Sequence, residues 1–193
     1  MVLVIDTSSA RSGVALLEDR LEPLTEVVRD SRDGFDLPAE VQRLLGDQPL
    51  SAIAVATGPG SFTGLRVGAA YAVGLALGRN LPLRPFPTLA LQAARYDGEA
   101  TAVAEAGRGR VYYLPAGGEP ALGEAGELPQ GQPVVGWLRP ATADLVRAAG
   151  RTLVPESELR SFGAAASLVV RESREIPCDS LTLDYMQSFQ TLR

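Results

Sequence analysis

Three short stretches of this chain carry residue types that could do chemistry together. Asp6-Thr7-Ser8-Ser9 sits between two apolar runs, Val2 to Ile5 and Gly13 to Leu17. A carboxylate and hydroxyls on a tight hairpin suit a hydrated magnesium and a terminal phosphate, which makes Asp6, Thr7 and Ser8 candidate nucleotide contacts. The same groups serve equally to satisfy the amides of their own turn. The second stretch, ATGPGSFTGLRVG from Ala56 to Gly68, joins an apolar run to a segment of helical length. A strand, a glycine-rich turn and a helix start form an anion-binding context, because free N–H groups and the helix dipole meet there. The spacing of Gly58, Gly60 and Gly64 is GxGxxxG, one residue longer than the dinucleotide fingerprint, and no lysine follows. The local chemistry favours a structural joint, with Pro59 and Gly60 shaping the turn and Ser61 or Thr63 capping the helix. The third stretch, Glu105 to Tyr112 (EAGRGRVY), is a charged turn leading into a strand. Arg108 and Arg110 could receive RNA phosphate or a partner's carboxylate, and a solvated hairpin is the plainer reading.

Composition narrows the chemistry. The 193 residues contain no histidine, and all 18 basic residues are arginine. Histidine-activated nucleophiles, HExxH metal sites, Schiff-base lysines and the GxxxxGK[ST] phosphate loop are therefore excluded. Carboxylate, hydroxyl, arginine and backbone chemistry remain. One cysteine, Cys178, cannot form an internal disulfide, which suits a reducing compartment. A formal net charge of −5 argues against a protein that grips nucleic acid by itself through a broad basic surface. No apolar run approaches bilayer length and no basic-then-apolar leader opens the sequence, so a cytoplasmic location without membrane association is expected.

The elements that must position these residues follow from the apolar pattern. Val2 to Ile5, Gly13 to Leu17 and Leu24 to Val28 read as a meander of antiparallel strands. Leu37, Val41, Leu44 and Leu45 fall on a helical stripe, with Asp36 and Pro38 at its start and Gly46 at its end. Ser51 to Ala56 is an uninterrupted buried strand, and a helix is expected from Phe62 to Leu77. Its small residues Gly64, Gly68, Ala72 and Ala76 recur every four positions and allow another backbone to approach, either the chain's own sheet or a partner. Val67, Tyr71 and Leu75 lie at i, i+4 and i+8, so the helix is apolar on more than one side and must be covered all round. An extended piece from Leu81 to Pro87 and a helix from Thr88 to Arg95 follow. Composition loosens at Tyr96-Asp97-Gly98, where a division into units 1–96 and 97–193 is expected. Beyond it, Thr101 to Ala104, Val111 to Leu114 and Val134 to Leu138 read as strands, and Ala141 to Ala149 and Phe162 to Val170 as helices. The simplest topology is an α/β fold whose sheet begins antiparallel and then receives parallel strands through right-handed crossovers.

VLVIDTS at Val2 to Ser8, the GVALL strand, GPGSFTGLRVG, GLALG at Gly74 to Gly78, LPL at Leu81 to Leu83 and PTLA at Pro87 to Ala90 resemble the TsaB/YeaZ family over about the first 95 residues. The family-motif loop is carried here by Gly58, Pro59, Gly60, Ser61, Phe62, Thr63, Gly64 and Arg66. The resemblance implies an actin-like, Hsp70-like and sugar-kinase-like ATPase fold in two tandem domains. It also implies a non-catalytic subunit of the machinery that places N6-threonylcarbamoyl on adenosine 37 of tRNA. The expected partners are the catalytic, metal-binding paralogue TsaD and the ATPase TsaE, with tRNA reached only through the complex and a homodimer formed in isolation. No cofactor is required of this chain itself, and the complex is where ATP-Mg could be bound. The pairing surface would be the helices 37–45 and 62–77, through Val41, Leu44, Leu45, Val67, Gly68, Tyr71, Ala72 and Leu75. The chain departs from the family pattern at Phe35-Asp36, where a histidine is usual, and at EAGRGRVYY, where Arg110 replaces an acid. The rival reading is a free-standing ATPase or kinase of the same fold that uses Asp6 and Thr7 with magnesium.

Overall fold

A computed structural model describes residues 1–186. Strands β1 (Val2–Asp6), β2 (Arg11–Leu17) and β3 (Pro23–Asp30) form the antiparallel meander. Strand β4 (Ala52–Ala56) then lies parallel to β1, Val2 opposite Ala52 through Ile5 opposite Val55, and β5 (Leu83–Phe86) lies parallel to β4. The sheet order is β3-β2-β1-β4-β5.

Alternation along β1 divides the core. Leu3 and Ile5 face one side with Ile53 and Val55, under the helices α1 (Leu37–Leu45) and α2 (Phe62–Arg79). Val2 and Val4 face the other side with Ala15 and Leu17, under helix α5 (Phe162–Glu172). Local signals set the helix ends. The Asp36 carboxylate accepts the Ala39 N–H at 3.1 Å to start α1, and Ser61 Oγ accepts the Gly64 N–H at 3.2 Å to start α2. Helix α2 stops at Asn80, the residue type after glycine best suited to its left-handed φ of 52°.

A second sheet, in the order β8-β7-β6-β9, contains β6 (Thr101–Gly107), β7 (Arg110–Leu114), β8 (Ala121–Glu124) and β9 (Val134–Val135). Helix α3 (Thr88–Ala94) packs between this sheet and α5, and α4 (Pro140–Ala148) places Val146 against Val103, Val111 and Val134. The expected strand Val134 to Leu138 is shorter than its apolar run. At Gly136, φ is +149° and a Cβ would meet the Val103 carbonyl, so the chain turns out of the sheet there. Strand β8 carries no sequence signal of its own. Its sequence, ALGE, is too short and mixed to show alternation.

Helix α5 comes from the second half of the chain yet covers the first sheet, with the Phe162 ring 3.1 Å from where a Cβ on Gly13 would stand. Segments 1–96 and 97–193 thus share one buried cluster. After α5, Ile176 exchanges two backbone hydrogen bonds with Leu83 at the sheet edge, and the Asp184 N–H reaches the Thr57 carbonyl at 2.8 Å. Among the described residues no helix is long and apolar enough to cross a membrane.

Candidate functional site

The glycine-rich joint is built by two loops meeting backbone to backbone. The Thr7 hydroxyl donates to the Gly64 carbonyl at 2.7 Å, and the Ser61 N–H donates to the Ser8 carbonyl at 2.7 Å. A Cβ on Gly60 would overlap the Ser8 carbonyl, and one on Gly64 would overlap the Thr7 carbonyl. Gly58 stands at φ +114° beneath the Asp184 carbonyl and enters a cis peptide bond to Pro59. The motif glycines are therefore the residues that let the β1–β2 turn touch the head of α2. Two amides at the head of α2 are already engaged, Gly64 N–H with Ser61 Oγ and Leu65 N–H with the Ser61 carbonyl at 2.8 Å.

Asp6, Thr7 and Ser8 are likewise turned to internal bonds rather than offered to a nucleotide. Asp6 and Ser8 are fully buried. One carboxylate oxygen of Asp6 accepts both the Ser8 N–H at 2.8 Å and the Ser8 hydroxyl at 2.6 Å, and Ser8 Oγ lies 2.9 Å from Thr88 Oγ1. The other carboxylate oxygen is buried without a partner. Burial pushes the Asp6 carboxyl up from its ordinary range, against the opposing pull of the two Ser8 hydrogen bonds.

This has a measurable consequence. The folded chain holds the Asp6 proton more tightly than the unfolded chain, where aspartate titrates at about 3.9. The stability so contributed is complete below that value and is lost as pH rises through the raised folded value. Asp6→Asn is expected to flatten this dependence and to leave Tm at neutral pH equal or higher. Thermal melts from about pH 4 to 8 check it, and a marked fall in Tm at neutral pH would show that the ionised form supports the turn.

The helices named as a pairing surface divide by burial. Val41, Leu45, Gly68 and Ala72 are buried in the chain's own core, and this corrects the expectation for those four. The row Gly64, Gly68, Ala72 and Ala76 faces the sheet, where a Cβ on Gly68 would stand 2.5 Å from Thr7 Oγ1. Leu44, Tyr71 and Leu75 are half-buried along the flank, and Val67 points out.

A second small-residue row, Ala70, Gly74 and Gly78, runs along the opposite side of α2 and is exposed. Nothing lies within 4 Å of a Cβ placed on Gly74 or Gly78. Leu77 is 67 % exposed, Val67 49 % and Phe62 44 %. The Phe62 ring rests 5.1 Å from that of Tyr185, and the Arg66 guanidinium lies 5.0 Å above it. This outward apolar face with its row of small residues is visible in the sequence as the spacing 70, 74, 78. In the third stretch, Glu105 turns inward while Arg108 and Arg110 stay exposed.

Comparisons with known proteins bear on the same segments. A family model described as TsaD, tRNA N6-adenosine threonylcarbamoyltransferase, matches residues 43–125. The protein of Bacillus subtilis named tRNA threonylcarbamoyladenosine biosynthesis protein TsaB is 36 % identical over 121 residues, covering 58 % of this chain and 52 % of that protein. The proteins of the same name from Haemophilus influenzae and Escherichia coli are 38 % identical over 97 residues and 35 % over 124. The first alignment covers 48 % of this chain and 41 % of the relative, the second 58 % and 53 %. The chain thus spans about half the length of the curated relatives it matches. The solved structure of YeaZ from Pseudomonas aeruginosa superposes with a TM-score of 0.69 at 21 % identity, covering 95 % of this chain and 98 % of the other. A second solved structure, described as an uncharacterized protein with similarity to peptidase YEAZ from Pseudomonas aeruginosa, gives 0.71 at 21 % identity, covering 96 % and 99 %. At that identity these two speak for the fold, which is the expected α/β, actin-like ATPase type. The chain is thus similar in sequence to the relatives named TsaB and in fold to the YeaZ structures.

Proposed function

We propose that this chain is a non-catalytic subunit of the machinery that forms N6-threonylcarbamoyladenosine at position 37 of tRNA, and that it works by pairing with a TsaD-class catalytic subunit. The observation that carries the reading is the outward face of α2. Apolar and small residues are exposed along four turns of helix, on an element whose inner face is already filled by its own sheet. A partner helix laid along Ala70, Gly74 and Gly78 would cover Val67 and Leu77 and extend over the flank formed by Leu44, Tyr71 and Leu75. In isolation the same face would pair with a second copy of the chain.

In this reading TsaE joins the assembly, ATP and magnesium are bound by the partners, and tRNA is engaged by the complex in the cytoplasm. The inward commitment of Asp6, Thr7 and Ser8 supports a subunit that positions its partner rather than one that turns over nucleotide.

Reconstitution tests the reading. An unmodified tRNA transcript, a TsaD-class enzyme and the threonylcarbamoyl donor are combined with and without this chain. The chain is expected to raise product formation by about 10-fold or more, within the usual range of coupling between bound proteins. Equal rates with and without it, or ATP hydrolysis by the isolated chain that is lost in Asp6→Ala, would favour the free-standing enzyme instead.

A further inference from the structure

We infer that Arg108, Arg110 and Arg139 form an auxiliary contact for RNA phosphates at the β6–β7 hairpin, a proposal that rests on the tRNA-modification reading above. The hairpin closes at Gly107 opposite Arg110, leaving Arg108 and Gly109 as its two turn residues. Their φ values are +54° and +75°, the hand that a tight two-residue hairpin demands. Asparagine, aspartate or glycine normally fills the first of these positions. An arginine there is strained by its side chain, and the projecting tip is a cation.

The third cation arrives from a distant part of the sequence. The Arg139 N–H donates to Glu105 Oε2 at 3.0 Å, which brings the residue preceding α4 alongside the hairpin. The same bond, with the Thr142 hydroxyl donating to Glu105 Oε1 at 2.6 Å, holds the Glu105 carboxylate inward at 8 % exposure. The sequence EAGRGR reads as a mixed-charge turn, whereas its fold presents only the positive charges.

Neighbouring acids are also engaged. Glu124 lies across from Arg110 in the ladder as an exposed carboxylate with no ion pair to it, its side chain accepting an amide in a capping box with Glu127. Asp144 is paired with Arg147 at 2.9 Å. Among the described residues, the side chains of Arg108, Arg110 and Arg139 enter no ion pair or hydrogen bond, although most other arginines do.

Three exposed guanidiniums spread over a turn, a strand and a helix start match charges repeated along a backbone better than one pocketed carboxylate. A protein-docking surface would also be expected to present an apolar centre. Here one exposed leucine, Leu145, lies beside the turn. On a chain of net charge −5 the contact by itself holds RNA weakly and only at low salt. Within an assembly that already holds the RNA, it adds binding through proximity.

The test is the triple variant R108Q/R110Q/R139Q, assembled with the catalytic partner and titrated with an unmodified tRNA transcript by fluorescence anisotropy at several salt concentrations. The expected result is a loss of about 10-fold in affinity at low salt, with the slope of log K against log salt shallower by about 2 to 3, near 0.7 to 0.9 for each phosphate that no longer meets a guanidinium. A lysine triple at the same positions should restore most of both. All three side chains are exposed, so Tm should hold within about 2 °C. Unchanged affinity and slope would overturn the proposal. So would unchanged RNA binding with weakened assembly, which would mark an acidic protein as the partner. Failure of the parent reading shows itself separately, as a wild-type chain that does not join the catalytic subunit in light scattering. The titration is then read on the chain alone at low salt, where the glutamine triple must still bind RNA more weakly.

Discussion

Gly74→Arg should leave the chain folded and weaken its association with a TsaD-class partner by about 100-fold, close to 2.7 kcal/mol at 25 °C. Gly74 sits in the middle of the outward row of α2, with no atom within 4 Å of a new Cβ. In the free chain the substitution replaces the poorest helix former short of proline with a good one, worth about 0.8 kcal/mol at an exposed position. Tm should therefore rise by a few degrees. In the complex the same side chain would occupy the space that a partner backbone needs and bury a charge without a counter-ion, the kind of change that costs about 2 kcal/mol or more at the centre of an interface. Light scattering or calorimetry on the mixed proteins reads the affinity, and a thermal melt of the variant reads the fold.

Gly64→Val should have the opposite signature. Its Cβ would overlap the Thr7 carbonyl, a backbone atom at the end of the central strand that cannot rotate away. The two loops would have to separate, breaking the Thr7 hydroxyl bond to the Gly64 carbonyl and the Ser61 bond to the Ser8 carbonyl. A cost of about 3 kcal/mol, the upper end of the usual range for overpacking, is expected. For a chain of this size that lowers Tm by about 10 °C. Denaturant or thermal unfolding checks it, and a wild-type melting curve would show that the motif glycines are not there for close packing.

The contrast between these glycines also explains what could be read from the chain in advance. Helix α1 was legible to the residue, because Asp36, Pro38 and Gly46 are local signals acting within one turn of the ends they set. The meander and the first parallel strand were legible because alternation and uninterrupted apolar runs report which faces are covered. The role of GPGSFTG was not legible from local chemistry. A glycine-rich helix start reads the same whether its amides face an anion or its Cα atoms face a backbone oxygen, and the oxygen here belongs to a residue 57 positions earlier.

The direction of α2 was hidden for a related reason. A helix that is apolar all round has no polar stripe to say which side is out. Both small-residue rows fit the four-residue spacing, and only the sheet beneath Gly68 and Ala72 distinguishes them. The inward turn of Glu105 depends on Thr142 and on the backbone of Arg139, more than 30 residues away. No reading of the EAGRGR stretch by itself could place its negative charge inside.

The central claim is that α2 uses one face for its own fold and the other for a partner. The most direct measurement is a light-scattering titration of the wild-type chain and Gly74→Arg, each against the same TsaD-class subunit, with melting curves taken on the same samples. The account expects a one-to-one complex with the wild-type chain, little or none with the variant at equal concentration, and a variant Tm no lower than wild type. A folded Gly74→Arg chain that binds the partner as tightly as wild type would contradict it.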